Sequence, residues 1–255
     1  MTSIITTFFA KKALKSQNPH IKAYSIYYLS QTKNSKIASK VLIPLLSNKD
    51  SLVRNSAVYA VSQIIRRLHE KKRQELKKVL LETYRESSLL TKIGVLYLLQ
   101  YYNKEEDVKK LLEDELKVAE HDLLFSIIQA LPVSISKESL DVLLKISSEN
   151  KDPLIVLAAL DHWEESVSKM EKEERINYCT PRIHTLIKVY ELWNKGDDIL
   201  FEVLDHADSS KLPEGKLYPD VTMRILLAFL EKYEYSPNAY KNVYRLVIPE
   251  YFALT

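Results

Sequence analysis

The chain has 255 residues, 46% of them hydrophobic and 28% charged, a balance that suits a folded protein with a sizeable core. Only 3 glycines and 9 prolines occur, which argues against β-hairpins and Gly-rich phosphate loops and favours helices. A single cysteine, Cys179, excludes an internal disulfide and a Cys-rich zinc site, and fits a reducing cytoplasm.

The first helix is expected over Thr2 to Lys15, with Ile5, Phe8, Phe9 and Leu14 turned inward. Its apolar start is interrupted by Lys11 and Lys12 too soon for a membrane span, and no small-residue cleavage site follows it. Asn18-Pro19 then reads as a cap and first turn for a helix carrying Ile21, Ser25, Tyr28 and Leu29. Val41, Leu42, Leu45 and Leu46 recur at helical spacing. After the break at 47–50, Asp50 or Ser51 caps a helix with Val53, Ala57, Ala60, Val61, Ile64 and Ile65 on one face. A further pair is expected from Gln74 to Arg85 and around Leu90 and Gly94, the glycine standing where Ala57 stood. Leu123, Ile127, Ala130 and Leu131 take the same places, and Asp152-Pro153 opens a helix with Ile155, Ala159, His162 and Trp163. The anchors Ile21, Val53, Leu90, Leu123 and Ile155 are spaced by 32, 37, 33 and 32 residues, which predicts an array of helix pairs.

Beyond Trp163 the pattern loosens. Residues 164–174 are highly charged, and Thr180-Pro181 reads as the start of a helix reaching Trp193 that Gly196 closes. Leu160-Asp161-His162 returns as Leu204-Asp205-His206, which suggests a sixth repeat. A long loop over 208–219 precedes a last pair, Asp220 to Tyr235 and Pro237 to about Phe252, expected to cap the core.

The order Leu42-Ile43-Pro44-Leu45-Leu46, Asp50, Val53-Arg54, Ala57 resembles a HEAT repeat, and Asn18, Ile21 and Lys22 reproduce Asp50, Val53 and Arg54. The resemblance is clear over 1–165 and weak beyond. It implies an all-α fold, a right-handed α-solenoid of about six to seven antiparallel helix pairs in one continuous domain. Residues 1–165 would be its regular repeats, and 166–255 its less regular repeats and capping pair. The short period is nearer the ~34 residues of tetratricopeptide repeats than the ~40–47 of HEAT repeats. No tetratricopeptide series of Trp, Leu-Gly and Tyr is present, however. In HEAT repeats the basic position held here by Arg54 and Lys22 often pairs within the array.

Net charge is +3, but residues 1–92 carry 18 Lys or Arg against 5 Asp or Glu, a balance of +13, while 93–255 carry −10. The densest basic run is Arg66, Arg67, Lys71, Lys72, Arg73, Lys77 and Lys78, a candidate surface for a polyanion or an acidic partner. Interspersed glutamates weaken its field. Asp161, His162 and Trp163, with Asp205 and His206, form a weaker candidate groove. The alternative for these is a buried histidine satisfied by a nearby acid. The tyrosines, Tyr24, Tyr27, Tyr28, Tyr59, Tyr97, Tyr101 and Tyr102 among them, are read first as core and second as a sticky surface.

No catalytic, cofactor or metal site is assigned. No two histidines lie three or four residues apart, so no helix offers a paired ligand set. HEAT-like deoxyhypusine hydroxylases hold iron through several His-Glu dipeptides; only His69-Glu70 occurs here. The pattern of HEAT-like alkylpurine DNA glycosylases is not reproduced around Asp161 to Glu164. Cys179 near His184 is read as an incidental thiol rather than a nucleophile. The expected function is a non-enzymatic, cytoplasmic protein-interaction scaffold without membrane contact. The alternatives are sequence-independent nucleic-acid binding through residues 1–92 and salt-sensitive self-association of the basic and acidic parts.

Overall fold

The computed structural model describes residues 4–213, 219–233 and 236–246, the side chains of 4–6, 219, 220 and 244 excepted; helices dominate and no strand occurs among them. The chain divides into two compact units, Met1–Ile135 and Ser136–Thr255. The loss of sequence regularity near 165 therefore falls inside the second unit.

In the first unit, α1 (Ile4–Ala13) packs on α2 (Pro19–Ser30), and α3 (Ser35–Ile37) runs on through a π turn over Ala38–Leu42 and a 3-10 turn over Ile43–Ser47. Pro44 accounts for the irregularity: it has no N–H to donate back along the helix, so the chain changes its hydrogen-bond spacing there. Next come α4 (Ser51–Ile65), α5 (Glu70–Glu86), α6 (Leu89–Leu99), α7 (Glu106–Val118) and α8 (His121–Ala130). The second helices stack in series, α2 on α4, α4 on α6 and α6 on α8. Their starts obey the expected capping. The Asn18 side chain accepts the His20 N–H at 2.9 Å, and Asp50 accepts those of Leu52 and Val53 at 2.9 and 3.3 Å.

The second unit holds α9 (Lys137–Glu149), α10 (Pro153–Ser168), α11 (Lys172–Cys179), α12 (Ile183–Trp193), α13 (Asp197–His206), α14 (Pro219–Lys232) and α15 (Pro237–Arg245). α9 pairs with α10 and meets α12, α12 and α11 meet α13, and α13 packs on α15. Asp152 caps α10 by accepting the Leu154 N–H at 2.9 Å. Thr180 caps nothing: its hydroxyl donates to the Ile176 carbonyl at 2.6 Å. Asn194, at φ 50°, closes α12 in the left-handed region, and Gly196, at φ 79°, leads into α13. The expected helix ends at Tyr235 and Phe252, and the loop residues 214–218, lie outside the described residues.

Within each unit the long-range side-chain bonds tie one helix pair to the next. They span from 27 residues, as between Asn103 and the Ala130 carbonyl, to 41, as between Arg182 and Asp141. In the second unit, Arg175 holds Glu202 through two bonds at 2.6 and 2.9 Å, and Asp141 receives both Tyr178 and Arg182. Burial alone would raise the Asp141 carboxyl, but these bonds outweigh it and the pKa is lowered. The Arg175 bonds lower Glu202, and Lys232 and Tyr233 lower Asp198.

Carboxyls that titrate lower in the folded than in the unfolded chain lend stability above their ordinary values of 3.8 and 4.5, and lose it as pH falls through the folded ones. Glu164 has the opposite sign, because burial raises it. Glu75, Asp107 and Asp208 are lowered as well, so with six carboxyls lowered against one raised among the described residues the melting temperature is expected to fall as pH drops from about 5 to 2. Glu202→Gln should flatten that slope. A melting temperature that held constant or rose on acidification would contradict the ladder.

Candidate interaction groove

The basic run does not form one surface. Arg67 donates to the Ser30 carbonyl at 3.0 Å; Arg73 donates to the Tyr101 carbonyl and lies over the Tyr102 ring. Lys77 is buried and donates to Glu105 and Asp107 at 2.6 and 2.9 Å. These three hold neighbouring helices together, so they cannot be exchanged for glutamate without disturbing the fold. Arg66 is exposed and bonded to the Tyr101 hydroxyl at 2.9 Å. Lys71, Lys72 and Lys78 are exposed, Lys72 pairing with Glu75 at 2.6 Å.

The two Asp-His dipeptides are engaged separately. Asp161 and His162 lie in the middle of α10, where Asp161 pairs with Lys195. Asp205 and His206 form the last turn of α13; Asp205 accepts from Ser236, and the His206 ring lies 2.8 Å from the Lys172 ammonium. Trp163 is fully buried and lines no groove, contrary to expectation. Its spacing of eight residues from Ile155 puts it on the core face of α10. Cys179 is buried too, and burial pushes its thiol up to about 12, which removes the thiolate a nucleophile needs.

Open depressions occur in both units. In the second, Asp205 and His206 line one of about 450 Å³ together with Arg175, Glu202 and Phe229, and another of about 640 Å³ lies among Lys137, Glu171, Glu174 and Arg182. A largely apolar one lies on the second helices of the first unit. Leu46, Val58, Ile93 and Gly94 floor a groove of about 380 Å³ between α4 and α6, with Tyr59, Leu90 and Tyr97 on its walls and Arg54 and Asn55 at one end. Ile93 and Tyr97 also belong to an adjoining depression of about 240 Å³ between α6 and α8, bounded by Gln100, Phe125 and Gln129. Tyr59, Leu90 and Tyr97 are each more than half exposed, at 53%, 54% and 52%. Tyr24, Tyr27 and Tyr28 form an exposed, edge-to-face cluster on α2, the neighbour of α4. Of the tyrosines read first as core, Tyr102 is buried; Tyr24, Tyr27, Tyr28, Tyr59 and Tyr97 are surface.

These residues face outward because the register of α6 differs by one position from expectation. Among its buried positions, Thr91, Val95, Leu98 and Leu99 match Val53, Ala57, Ala60 and Val61 of α4, and Leu96 is buried beside them. One residue is a rotation of about 100°, which carries Leu90 and Tyr97 to solvent. In α2 Ser25 and Leu29 are buried as expected, joined by Ile26 and Ser30, while Ile21 and Tyr28 are exposed. Phe8 and Phe9 of α1, also expected inside, are exposed.

Gly94 remains a point of close approach: a Cβ there would lie 3.2 Å from Val58 Cγ2 and 3.6 Å from Leu46 Cδ2. Ala57 is fully buried. Gly94→Leu and Ala57→Leu are each expected to cost about 1–3 kcal/mol through overpacking, read by urea denaturation. Unchanged midpoints would place neither residue between helices.

No family model matches the chain, and no curated protein matches it. Among solved structures it is similar to an engineered protein, at 16% identity and a TM-score of 0.41, over 90% of this chain and 98% of that one. Among the described residues no helix is long and apolar enough to cross a membrane, and no cluster of His, Cys, Asp and Glu is arranged to hold a metal ion.

Proposed function

We propose that the chain is a non-enzymatic, HEAT-like right-handed α-solenoid of six to seven helix pairs that binds a protein partner. The series α2, α4, α6, α8 and the bonds one repeat long support the solenoid reading. The observation that carries the binding reading is the exposed wall of Tyr59, Leu90, Tyr97 and Phe125 over an aliphatic floor. Contiguous apolar surface of this kind marks an interaction site, and tyrosine and leucine give it the makeup of an interface core. Among the described residues Arg54 is the one charged side chain lining the groove, too little for a phosphate backbone, which favours a protein over a nucleic acid.

The test is affinity purification from the native cell with wild-type protein and a Tyr59→Ala/Tyr97→Ala variant, half of each sample being treated with nuclease. The reading expects a protein that survives nuclease and is lost with the variant. A second reading, sequence-independent nucleic-acid binding, rests on Lys71, Lys72 and Lys78, which remain exposed in the most basic part of the chain. It expects partners that vanish with nuclease and an affinity for oligonucleotides that falls steeply with salt. A Lys71→Glu/Lys78→Glu variant should then lose that affinity while keeping its melting temperature. Partners kept by the groove variant would overturn the first reading.

A further inference from the structure

The second unit carries a surface that complements the groove. α14 buries Ile225, Leu226 and Phe229 on one face and leaves Met223, Leu227 and Leu230 exposed at 55%, 53% and 44%. These three follow the i, i+4, i+7 spacing by which a helix inserts apolar anchors into a groove. Having one apolar face packed already, the helix presents a second that nothing among the described residues covers. We infer that the protein assembles head to tail, the Met223–Leu230 stripe of one copy lying in the α4–α6 groove of the next. The inference rests on the reading of the groove as a docking surface and names a second copy of this chain as an occupant.

Dimensions agree. Met223 and Leu230, like Leu90 and Tyr97, stand seven residues apart, about 10 Å along a helix. Charge agrees as well. Arg54 at one end of the groove donates only to the carbonyls of Asn48 and Lys49, at 2.8 and 2.9 Å. Arg66, just past the end of α4 and outside the groove lining, donates to the Tyr101 hydroxyl. Neither meets a carboxylate among the described residues, so both keep their full positive charge. On α14 the cations are already neutralised, Arg224 by Glu191 at 2.8 Å and Lys232 by Asp197 and Asp198 at 2.5 and 2.7 Å. Glu231, one turn beyond Leu227, is exposed and makes no ion pair among the described residues. The units as wholes have opposite sign, +9 for residues 1–135 and −6 for 136–255. A groove-to-groove dimer would instead bring two first units of the same sign together, which like-charge repulsion disfavours. Surfaces that differ and reside on one chain form a heterologous contact, which repeats from copy to copy.

The inference is tested by sedimentation velocity over a concentration series, at low and high salt, with Tyr97→Glu in the groove and Leu227→Glu on α14. Both positions are solvent-facing, so each variant should keep the wild-type circular dichroism; Tyr59→Glu and Met223→Glu serve as replacements if it does not. The wild type should sediment faster with rising concentration, more so at low salt, and each variant should stay monomeric. An equimolar mixture of the two variants should give a 1:1 dimer and nothing larger, because each retains one intact face. A wild type that is monomeric throughout, association that persists in either variant, or a mixture that stays monomeric would overturn it. A monomeric wild type whose nuclease-resistant partner is still lost with the Tyr59→Ala/Tyr97→Ala variant would sink head-to-tail assembly alone. Assembly that follows the predicted pattern, beside heterologous partners indifferent to the groove, would leave it standing and sink only the wider reading.

Discussion

Trp163→Ala is expected to destabilise the protein by about 3–5 kcal/mol, the usual cost of truncating a large buried aromatic ring. Trp163 is fully buried in α10, one face of which also buries Ile155, Ala159, Ser166 and Val167. Removing the indole leaves a cavity that helices on both sides can close only by moving, and close-packed interiors resist that. For a unit of this size the loss amounts to a fall of roughly 10 °C or more in melting temperature. Trp163→Phe, which keeps most of the volume, should cost distinctly less. With Trp193 replaced by Phe, the remaining emission should be that of a buried indole and shift to the red only on unfolding. A Trp163→Ala variant within about 0.5 kcal/mol of wild type would return Trp163 to the surface and to a binding role.

The capping residues were the most legible part of the fold. Asn18, Asp50 and Asp152 are read from sequence as helix starts and accept backbone N–H groups there. A cap depends on local chemistry, and local chemistry is what a sequence displays. Rotation of a helix about its axis is not local. Leu89 to Leu99 is apolar almost all round, so its pattern does not fix the rotation; Leu90 is read as the anchor, and packing against α4 puts Thr91 there instead. That single step of about 100° separates a reading of Tyr97 as core from its place on a groove wall. Uniform apolarity was itself the missed signal: a helix apolar on every side either lies wholly inside or presents a surface to something else. The basic run misled for the converse reason. Charge is visible in sequence, but Arg67, Arg73 and Lys77 find their carbonyl and carboxylate partners 28 to 37 residues away.

Lys77→Ala is expected to cost about 2–3 kcal/mol, the second-largest effect among these variants. That is somewhat less than the ~3–5 kcal/mol for breaking a fully buried pair. The Lys77 side chain is only 9% exposed and reaches from α5 to the start of α7, where it meets Glu105 at 2.6 Å and Asp107 at 2.8 Å. Removing it leaves two carboxylates close together. Gln74 still donates to Glu105, and the N-terminus of α7 still favours negative charge, which limits the damage. Asp107 is half exposed, so water recovers part of the rest. Burial opposes the charge on both Lys77 and Asp107, yet their mutual bonds raise the lysine and lower the aspartate. Lysine's share of the stability is therefore present below its ordinary value of 10.5 and lost as pH rises through the folded one. Aspartate's is present above 3.8 and lost as pH falls through its own folded value. At neutral pH the pair is intact, and the variant should show its full effect there in urea melts. Lys71→Ala and Lys78→Ala, on the exposed face of the same helix, should stay within about 0.5 kcal/mol of wild type. Adding Glu105→Gln and Asp107→Asn to Lys77→Ala should recover part of the loss, because the orphaned charges go with the substitution. Equal effects at Lys71, Lys77 and Lys78 would mean that Lys77 is one more solvated cation of the run, and that the α5–α7 link is not made through it.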